Sequence, residues 1–368
     1  MPKEQLIEHL RVRLGALVDP DLGESLLQLG ALHNIEAADG SIHIYLELIP
    51  PLYRSLAQQL DTAIKSVVEK VDPSVRSVVH ARPIAVLRKI PSPVLPQVQD
   101  MVAVASGKGG VGKSTVAANL AAAFLLEGLQ VGLLDADIYG PSAPTLFGLE
   151  GATLEAVKTE EGRVVGYPQQ QYGIKIASMG FIMQRDQAAI FRGPMLAGYF
   201  RTLVEQIEWG ELDVLVFDLP PGTGDVQLTL AQQIPLSGAV IVTTPQQLAL
   251  ADVRRSIAMF RRVNVDILGI IENMSYYIPS DAPEKRYYIF GQGGGKQLAE
   301  EAGVPFLGEI PLHDDIRTST DEGLPVVLNP DAAEPVIHAY QTVTQAILAT
   351  LRRLNLQRHH SQQMEIRL

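Results

Sequence analysis

The chain has 368 residues, more than one ordinary domain needs, and fits a large domain beside a small one. Apolar residues make up 46% and charged residues 19%, enough to fill real cores, and a net charge of −11 works against nonspecific adhesion to nucleic acid or anionic membrane. There is no cysteine, which excludes disulfides, thiolate zinc sites and cysteine nucleophiles.

The start, Met1-Pro2-Lys3-Glu4-Gln5, leads into an amphipathic segment rather than a signal peptide. Leu6, Leu10, Leu14 and Leu17 fall on one helical face, and Asp19-Pro20-Asp21 with Gly23 reads as a turn. Ile42, Ile44, Leu46 and Leu48 alternate with polar residues as a half-buried strand does. Leu56, Leu60, Ile64 and Val67 predict a second helix, and Val75 to Val79 a further strand. This α-β-β-α-β order predicts a compact α+β domain over 1–88. Pro91, Pro93 and Pro96 make 89–100 a semi-rigid linker.

From Met101 short apolar strands alternate with helices. The strands are Met101–Ser106, Val131–Asp135, Val214–Asp218, Ala239–Thr243, Ile267–Ile271 and Pro305–Leu307; helices begin near Lys113, Met195, Gln227, Leu248, Gly295 and Ala333. The expected fold class is α/β, a parallel doubly wound sheet covered on both faces, over 101–355, with a loose polar tail at 356–368. No apolar run approaches the about 20 residues needed to span a bilayer, so a soluble cytoplasmic protein is expected.

The chemistry concentrates where the first strand of the large domain meets its helix. There the sequence runs Gly107, Lys108, Gly109, Gly110, Val111, Gly112, Lys113, Ser114, Thr115. Glycines let backbone amides turn inward around phosphate oxygens, and the following helix N-terminus favours the anion. Lys113 should reach the β- and γ-phosphates of ATP, and the Ser114 hydroxyl should ligate Mg2+. Gly107, Gly109 and Gly112 also fit the dinucleotide pattern GxGxxG, with Asp135 imitating its ribose-binding acid. Lys113-Ser114-Thr115 decides between them, since only a triphosphate–magnesium site needs a cation and a hydroxyl there.

Two carboxylate segments complete the expected site. Asp135 and Asp137 lie at a strand end, where open α/β sheets bind ligands; Asp137 is the candidate for positioning the attacking water, and Asp135 for holding the magnesium water shell. Asp218 ends the apolar strand Val214-Leu215-Val216-Phe217 in a Walker B pattern and should bind magnesium through water. The following Pro220-Pro221-Gly222-Thr223-Gly224-Asp225 reads as a switch, with the Gly222 amide placed to sense the γ-phosphate.

Together these pieces resemble the Mrp family of iron–sulfur cluster carrier ATPases, deviant Walker A relatives of the Min and Par partition ATPases. The likeness covers nearly the whole chain. It rests on Gly107 to Thr115, Asp135-Ala136-Asp137-Ile138-Tyr139-Gly140-Pro141-Ser142, Arg192-Gly193-Pro194-Met195, Asp218 to Asp225, Glu272-Asn273-Met274-Ser275, Ile289-Phe290-Gly291 with Gly293-Gly294, and Leu307-Gly308-Glu309-Ile310-Pro311-Leu312. Asp19 to Gly23 and Leu29-Gly30 carry a likeness to the small domain of iron–sulfur assembly factors. The resemblance implies that Lys108 reaches across a homodimer to the partner's nucleotide, that Asn273 and the backbone around Pro311 recognise adenine, and that clusters pass to apoprotein clients.

The resemblance breaks at its cargo. Where the family carries a CxxC pair, this chain has Tyr276-Tyr277-Ile278-Pro279-Ser280-Asp281-Ala282-Pro283, and the small domain's usual cysteine is missing near Ile49-Pro50-Pro51-Leu52. Cluster iron is ordinarily held by thiolates. His313-Asp314-Asp315 and His359-His360 offer other metal-binding side chains but read more simply as surface or tail residues. A cysteine-free, nucleotide-gated scaffold or a positioning ATPase is therefore the alternative. Arg254, Arg255, Arg261 and Arg262 are the best candidates for a basic patch, though a solvated helix face looks the same. Neither a nucleic-acid nor a membrane partner is expected.

Overall fold

In a computed structural model of the chain, the described residues are 2–366 except 87–93, 139, 161, 163, 183–197, 199, 201, 280 and 283. The Arg192-Gly193-Pro194-Met195 motif, Tyr139 and the start of the helix expected near Met195 lie outside them, while residues 202–205 are helical. The chain divides into two compact units, one of Met1–Leu87 with Leu348–Leu368 and one of Arg88–Ile347.

In the first unit, α1 (Lys3–Gly15) and α2 (Arg54–Val71) pack on a sheet of β1 (Leu32–Ala38), β2 (Ser41–Leu48) and β3 (Arg76–Pro83). β1 and β2 form an antiparallel hairpin turned by Asp39-Gly40, both at positive φ (51° and 75°), the geometry that matches strand twist. β3 returns parallel to β2, after the α2 crossover. Ile42, Ile44, Leu46 and Leu48 are buried on alternate positions of β2, and Leu56, Leu60, Ile64 and Val68 form the buried stripe of α2. The stripe ends on Val68 rather than Val67 because the i+4 step keeps the face.

The segment expected as a loose tail is helical. A final helix runs Glu334–Ile366, and its part from Leu348 onward belongs to the first unit. Just ahead of that segment a buried charge anchors the helix. Arg352, 0% exposed, donates to Asp19 at 2.8 and 2.6 Å, to Asp21 at 2.5 Å and to the Ile49 carbonyl at 3.0 Å. The Tyr53 hydroxyl donates to Asp21 at 2.8 Å, and Asn355 to the Pro50 carbonyl at 3.0 Å. The Asp19-Pro20-Asp21 turn is thus a two-carboxylate socket for an arginine over three hundred residues away. Removing one partner of a buried pair leaves uncompensated charge, at a cost of about 3–5 kcal/mol. Arg352→Met should lower stability by that amount in urea unfolding followed by circular dichroism; a loss below about 1 kcal/mol would refute the socket.

In the second unit the strands β4 (Val98–Ser106), β5 (Val131–Asp135), β6 (Glu155–Lys158), β7 (Val164–Tyr167), β8 (Gln169–Gln171), β9 (Ile174–Ser178), β10 (Leu212–Asp218), β11 (Gly238–Thr243), β12 (Ile267–Tyr277) and β13 (Phe306–Leu312) are described. Eight of them form one sheet in the order β13-β12-β11-β4-β10-β5-β9-β8, parallel except for the edge pair β8–β9, while β6 and β7 make a separate hairpin. The fold is α/β and doubly wound. From β4 the chain moves one way to β5 through α3 (Lys113–Leu126), whereas from β10 it crosses β4 to reach β11. Right-handed crossovers in opposite directions put helices on opposite faces, and the reversal opens a crevice at the strand C-termini.

β4 begins at Val98, inside the expected linker, because Val98 pairs with Leu212 and Asp100 with Val214 on β10. The polar Gln97, Gln99 and Asp100 hid that start from periodicity alone. Nearly every face of α3 is apolar, and it is buried throughout from Val116 to Phe124.

Helix α4 (Ala143–Leu146) follows β5, α5 (Asp225–Gln233) follows β10, and α6 (Gln247–Arg262) and α7 (Gly294–Ala302) lie further on. Three of the four arginines of α6 are engaged rather than free. Arg254 pairs with Glu301 at 2.7 Å, Arg255 with Asp252 at 3.0 Å, and Arg261 donates to the Ala302 carbonyl. The apolar stripe Tyr340, Val343, Ile347 and Leu351 is buried, and among the described residues no helix is long and apolar enough to cross a membrane.

Candidate functional site

The loop between β4 and α3 is shaped by backbone conformations that glycine permits. Gly110 and Gly112 sit at φ 82° and 79°, and Gly112 caps α3. A Cβ on Gly112 would lie 2.3 Å from the Asn273 amide nitrogen, and one on Gly107 would lie 2.5 Å from Asp252. The Ser106 hydroxyl donates to the Lys108 carbonyl at 2.9 Å and tightens the turn. Asn273, on β12, donates to the Val111 carbonyl at 2.8 Å. The loop is therefore clamped from outside while its amides and the N-terminus of α3 remain to cradle an anion.

Lys113 is 6% exposed; its ammonium donates to Asp218 and, at 3.1 Å, to the Ser114 hydroxyl. Register brings the two carboxylates together, since Asp218 on β10 stands beside Asp135 on β5. Burial holds the carboxyl of Asp218 above the ordinary range against the pull of Lys113. Burial, followed by the charge of Asp218, pushes Asp135 up to about 7. Oxygen donors at Ser114 and Asp218 beside a buried lysine fit a hard cation bound with a triphosphate.

Asp135 does more than the sequence indicates. Its Oδ2 accepts from the Ser142 and Ala143 amides at 2.8 and 2.9 Å and from the Ser178 hydroxyl at 3.0 Å; its Oδ1 accepts from the Asp137 amide at 3.1 Å. One carboxylate thereby fixes the loop that presents Asp137. Asp137 itself is largely buried, accepts from the Gly140 amide at 3.3 Å and lines a cavity of about 500 Å³ with Pro220, Pro221 and Gln227. Gly222, at φ 98°, donates its amide to the Ser106 carbonyl at 2.9 Å, so that donor is engaged with the strand leading into the phosphate loop.

On the other side of the loop, Asn273 and Pro311 share a cavity of about 250 Å³ with Gly112, Thr115, His313 and Arg317. His313 is a helix cap there: its Nδ1 accepts from the Asp315 amide at 3.1 Å, opening α8 (Asp314–Asp321). Among the described residues no group of three or more His, Asp or Glu side chains is arranged to hold a metal ion. Lys108 is half-buried, with no ion-pair partner among the described residues. In the sequence Gln227 reads only as the start of a helix. A polar residue one turn past a glycine-rich switch was the available signal.

At the start of the stretch where the family carries its CxxC pair, Tyr276 and Tyr277 are held by a cation–π contact and by backbone hydrogen bonds. Tyr277 exchanges backbone hydrogen bonds with Tyr287 at 2.8 and 3.0 Å, and the Arg286 guanidinium lies 4.4 Å from the centre of the Tyr276 ring.

The raised carboxyl of Asp135 predicts a pH dependence. Between about pH 4 and pH 7 the folded protein holds a proton that the unfolded chain has released, so this contribution to stability is full below the unfolded value and lost as pH rises through about 7. Melting temperature should therefore fall more steeply with pH across that window in the wild type than in Asp135→Asn. Equal slopes would remove Asp135 as the titrating group.

A glycine-clamped phosphate loop at the reversal of a doubly wound sheet, with lysine, hydroxyl and paired carboxylates beside it, defines a P-loop nucleoside triphosphatase. A family model described as NUBPL iron-transfer P-loop NTPase matches residues 97–348, and one described as iron-sulfur cluster assembly protein matches residues 7–78. The chain belongs to this family of iron-transfer P-loop NTPases. It is 45% identical over 322 residues to the iron-sulfur cluster carrier protein of Synechocystis sp., spanning 86% of this chain and 90% of that protein. It is 40% identical over 326 residues to the protein of that description from Escherichia coli, spanning 86% and 84%. Among solved structures, a nucleotide-binding protein in complex with ADP from Archaeoglobus fulgidus is 40% identical and matches with a TM-score of 0.56, over 64% of this chain and 91% of that one.

Proposed function

We propose that the chain is a Mg2+-dependent ATPase that works as a homodimeric switch on iron–sulfur client proteins. The observation that carries this reading is the buried contact of Lys113 with Asp218 and Ser114 under a glycine cradle. In this reading the loop amides and Lys113 bind the β- and γ-phosphates, and Mg2+ is held by Ser114 and, through water, by Asp218. Asp135 would help hold the magnesium through its water shell. The magnesium supplies charge neutralisation on the phosphates when bound. Asn273 and the backbone at Pro311 take the adenine in the 250 Å³ cavity they share. Asp137 accepts the proton of the attacking water, and Lys108 of each protomer stabilises the transferring phosphoryl group in its partner. The Gly222 amide leaves the Ser106 carbonyl for a γ-phosphate oxygen, which couples nucleotide state to the switch after Asp218.

The cargo is limited by the residues present. With no cysteine anywhere, the chain supplies no thiolate to a cluster. Relatives are named as cluster carriers, and this chain's part in that trade is the nucleotide-driven step, with cluster ligands contributed by the client. Light scattering with Mg2+ and a non-hydrolysable ATP analogue should show dimerisation, and turnover per protomer should rise with protein concentration and vanish in EDTA. A concentration-independent rate, or turnover without divalent metal, would overturn the switch.

A further inference from the structure

We propose that Gln227 is a second group that orients the attacking water, opposite Asp137, a reading that rests on ATP hydrolysis at this site. Gln227 is the third residue of α5, the helix that starts where the Pro220–Gly224 segment ends. Its side chain is 1% exposed, yet neither Oε1 nor Nε2 has a hydrogen-bond partner among the described residues. It lines the same cavity of about 500 Å³ as Asp137, Pro220, Pro221 and Gly224. A buried amide left without partners is costly, and native chains keep few of them. Here Gln227 and Asp137 line one cavity, so a small, polar ligand in it can satisfy the orphaned groups and meet that carboxylate as well.

Water at the γ-phosphate meets these needs. A water whose two protons are accepted by Asp137 and by Gln227 Oε1 has its lone pair fixed toward phosphorus. Nε2 then donates to a γ-phosphate oxygen. The water oxygen forms the new O–P bond as the bond between phosphorus and the bridging oxygen breaks. ADP leaves with that electron pair, and the water proton passes to Asp137 and then to the phosphate. A neutral amide suits the task, because a second carboxylate would repel the phosphate and a lysine could not accept.

The test uses Gln227→Met, which keeps the length and removes both polar groups, with Gln227→Leu as a second variant should the first fail to fold. Turnover at saturating Mg–ATP should fall about 10²-fold, as for loss of one oriented hydrogen-bonding group. KM and the ATP dissociation constant should stay within about threefold, and the melting temperature without nucleotide should match or exceed wild type, because orphaned polar atoms have been removed. Turnover within about threefold of wild type would overturn the assignment. So would a loss accompanied by a lower melting temperature and weaker ATP binding, which marks a structural role. If wild-type protein itself fails to hydrolyse ATP, the parent reading falls and this one with it; an active wild type with an active variant removes Gln227 alone.

Discussion

Lys113→Ala is expected to abolish ATP turnover, with a fall of about 10³-fold or more and ATP binding too weak to saturate. The side chain stands at the start of α3, is buried, and is in contact with both Asp218 and the Ser114 hydroxyl. It neutralises Asp218 and, in the proposed reading, the phosphates as well. Without it, Asp218 and its strand neighbour Asp135 face each other buried and without a counter-charge. One of the two then retains a proton to higher pH, as like charges in one site require. Lys113→Ala should consequently lose stability toward alkaline pH faster than wild type does. Calorimetric titration with ATP, phosphate release and pH-dependent melting check the three parts, and wild-type turnover in a folded variant would remove Lys113 from the site.

Lys108→Ala is expected to behave differently. Lys108 is half-buried in the loop, its carbonyl is held by Ser106, and its ammonium has no partner in its own chain among the described residues. ATP affinity should therefore stay within about threefold of wild type. Turnover should fall by about 10³-fold, the lower end of what a positioned cation in trans supplies to phosphoryl transfer. Mixing separates the two lysines. A protomer with Lys108→Ala still binds ATP, and a partner with Lys113→Ala still offers Lys108. The mixture should recover a measurable part of the wild-type rate although each variant alone is inactive. An unchanged rate in Lys108→Ala at saturating protein, or no recovery on mixing, would reject action across the dimer.

The two variants probe residues legible in the chain itself. Gly107 to Thr115 directly after an apolar strand names a phosphate loop because few other chemistries need glycine, lysine and hydroxyl in that spacing. Strand alternation likewise placed the main parallel strands, since burial on both faces leaves an apolar run that periodicity detects. The short strands from Glu155 to Ser178 were invisible, being polar, exposed or only three to five residues long. Asn273 and Pro311 were linked to the nucleotide only by likeness. Their shared cavity with Gly112 and Thr115 arises from strand order, which brings β12 and β13 to the same edge of the crevice.

By itself the sequence determined the class of chemistry and the absence of thiolate ligands, because both are properties of residue type and local spacing. Tertiary structure alone decided which charges meet. Register set Asp135 against Asp218, hydrogen bonds made Asp135 the clamp of the Asp137 loop, and packing left the amide of Gln227 unpaired among the described residues in the cavity that Asp137 lines. Arg352 found Asp19 and Asp21 the same way, anchoring the final helix just ahead of the segment that polarity alone marked as a tail. Long-range pairing of buried charge depends on where the chain returns in space, and nothing in local composition encodes that distance.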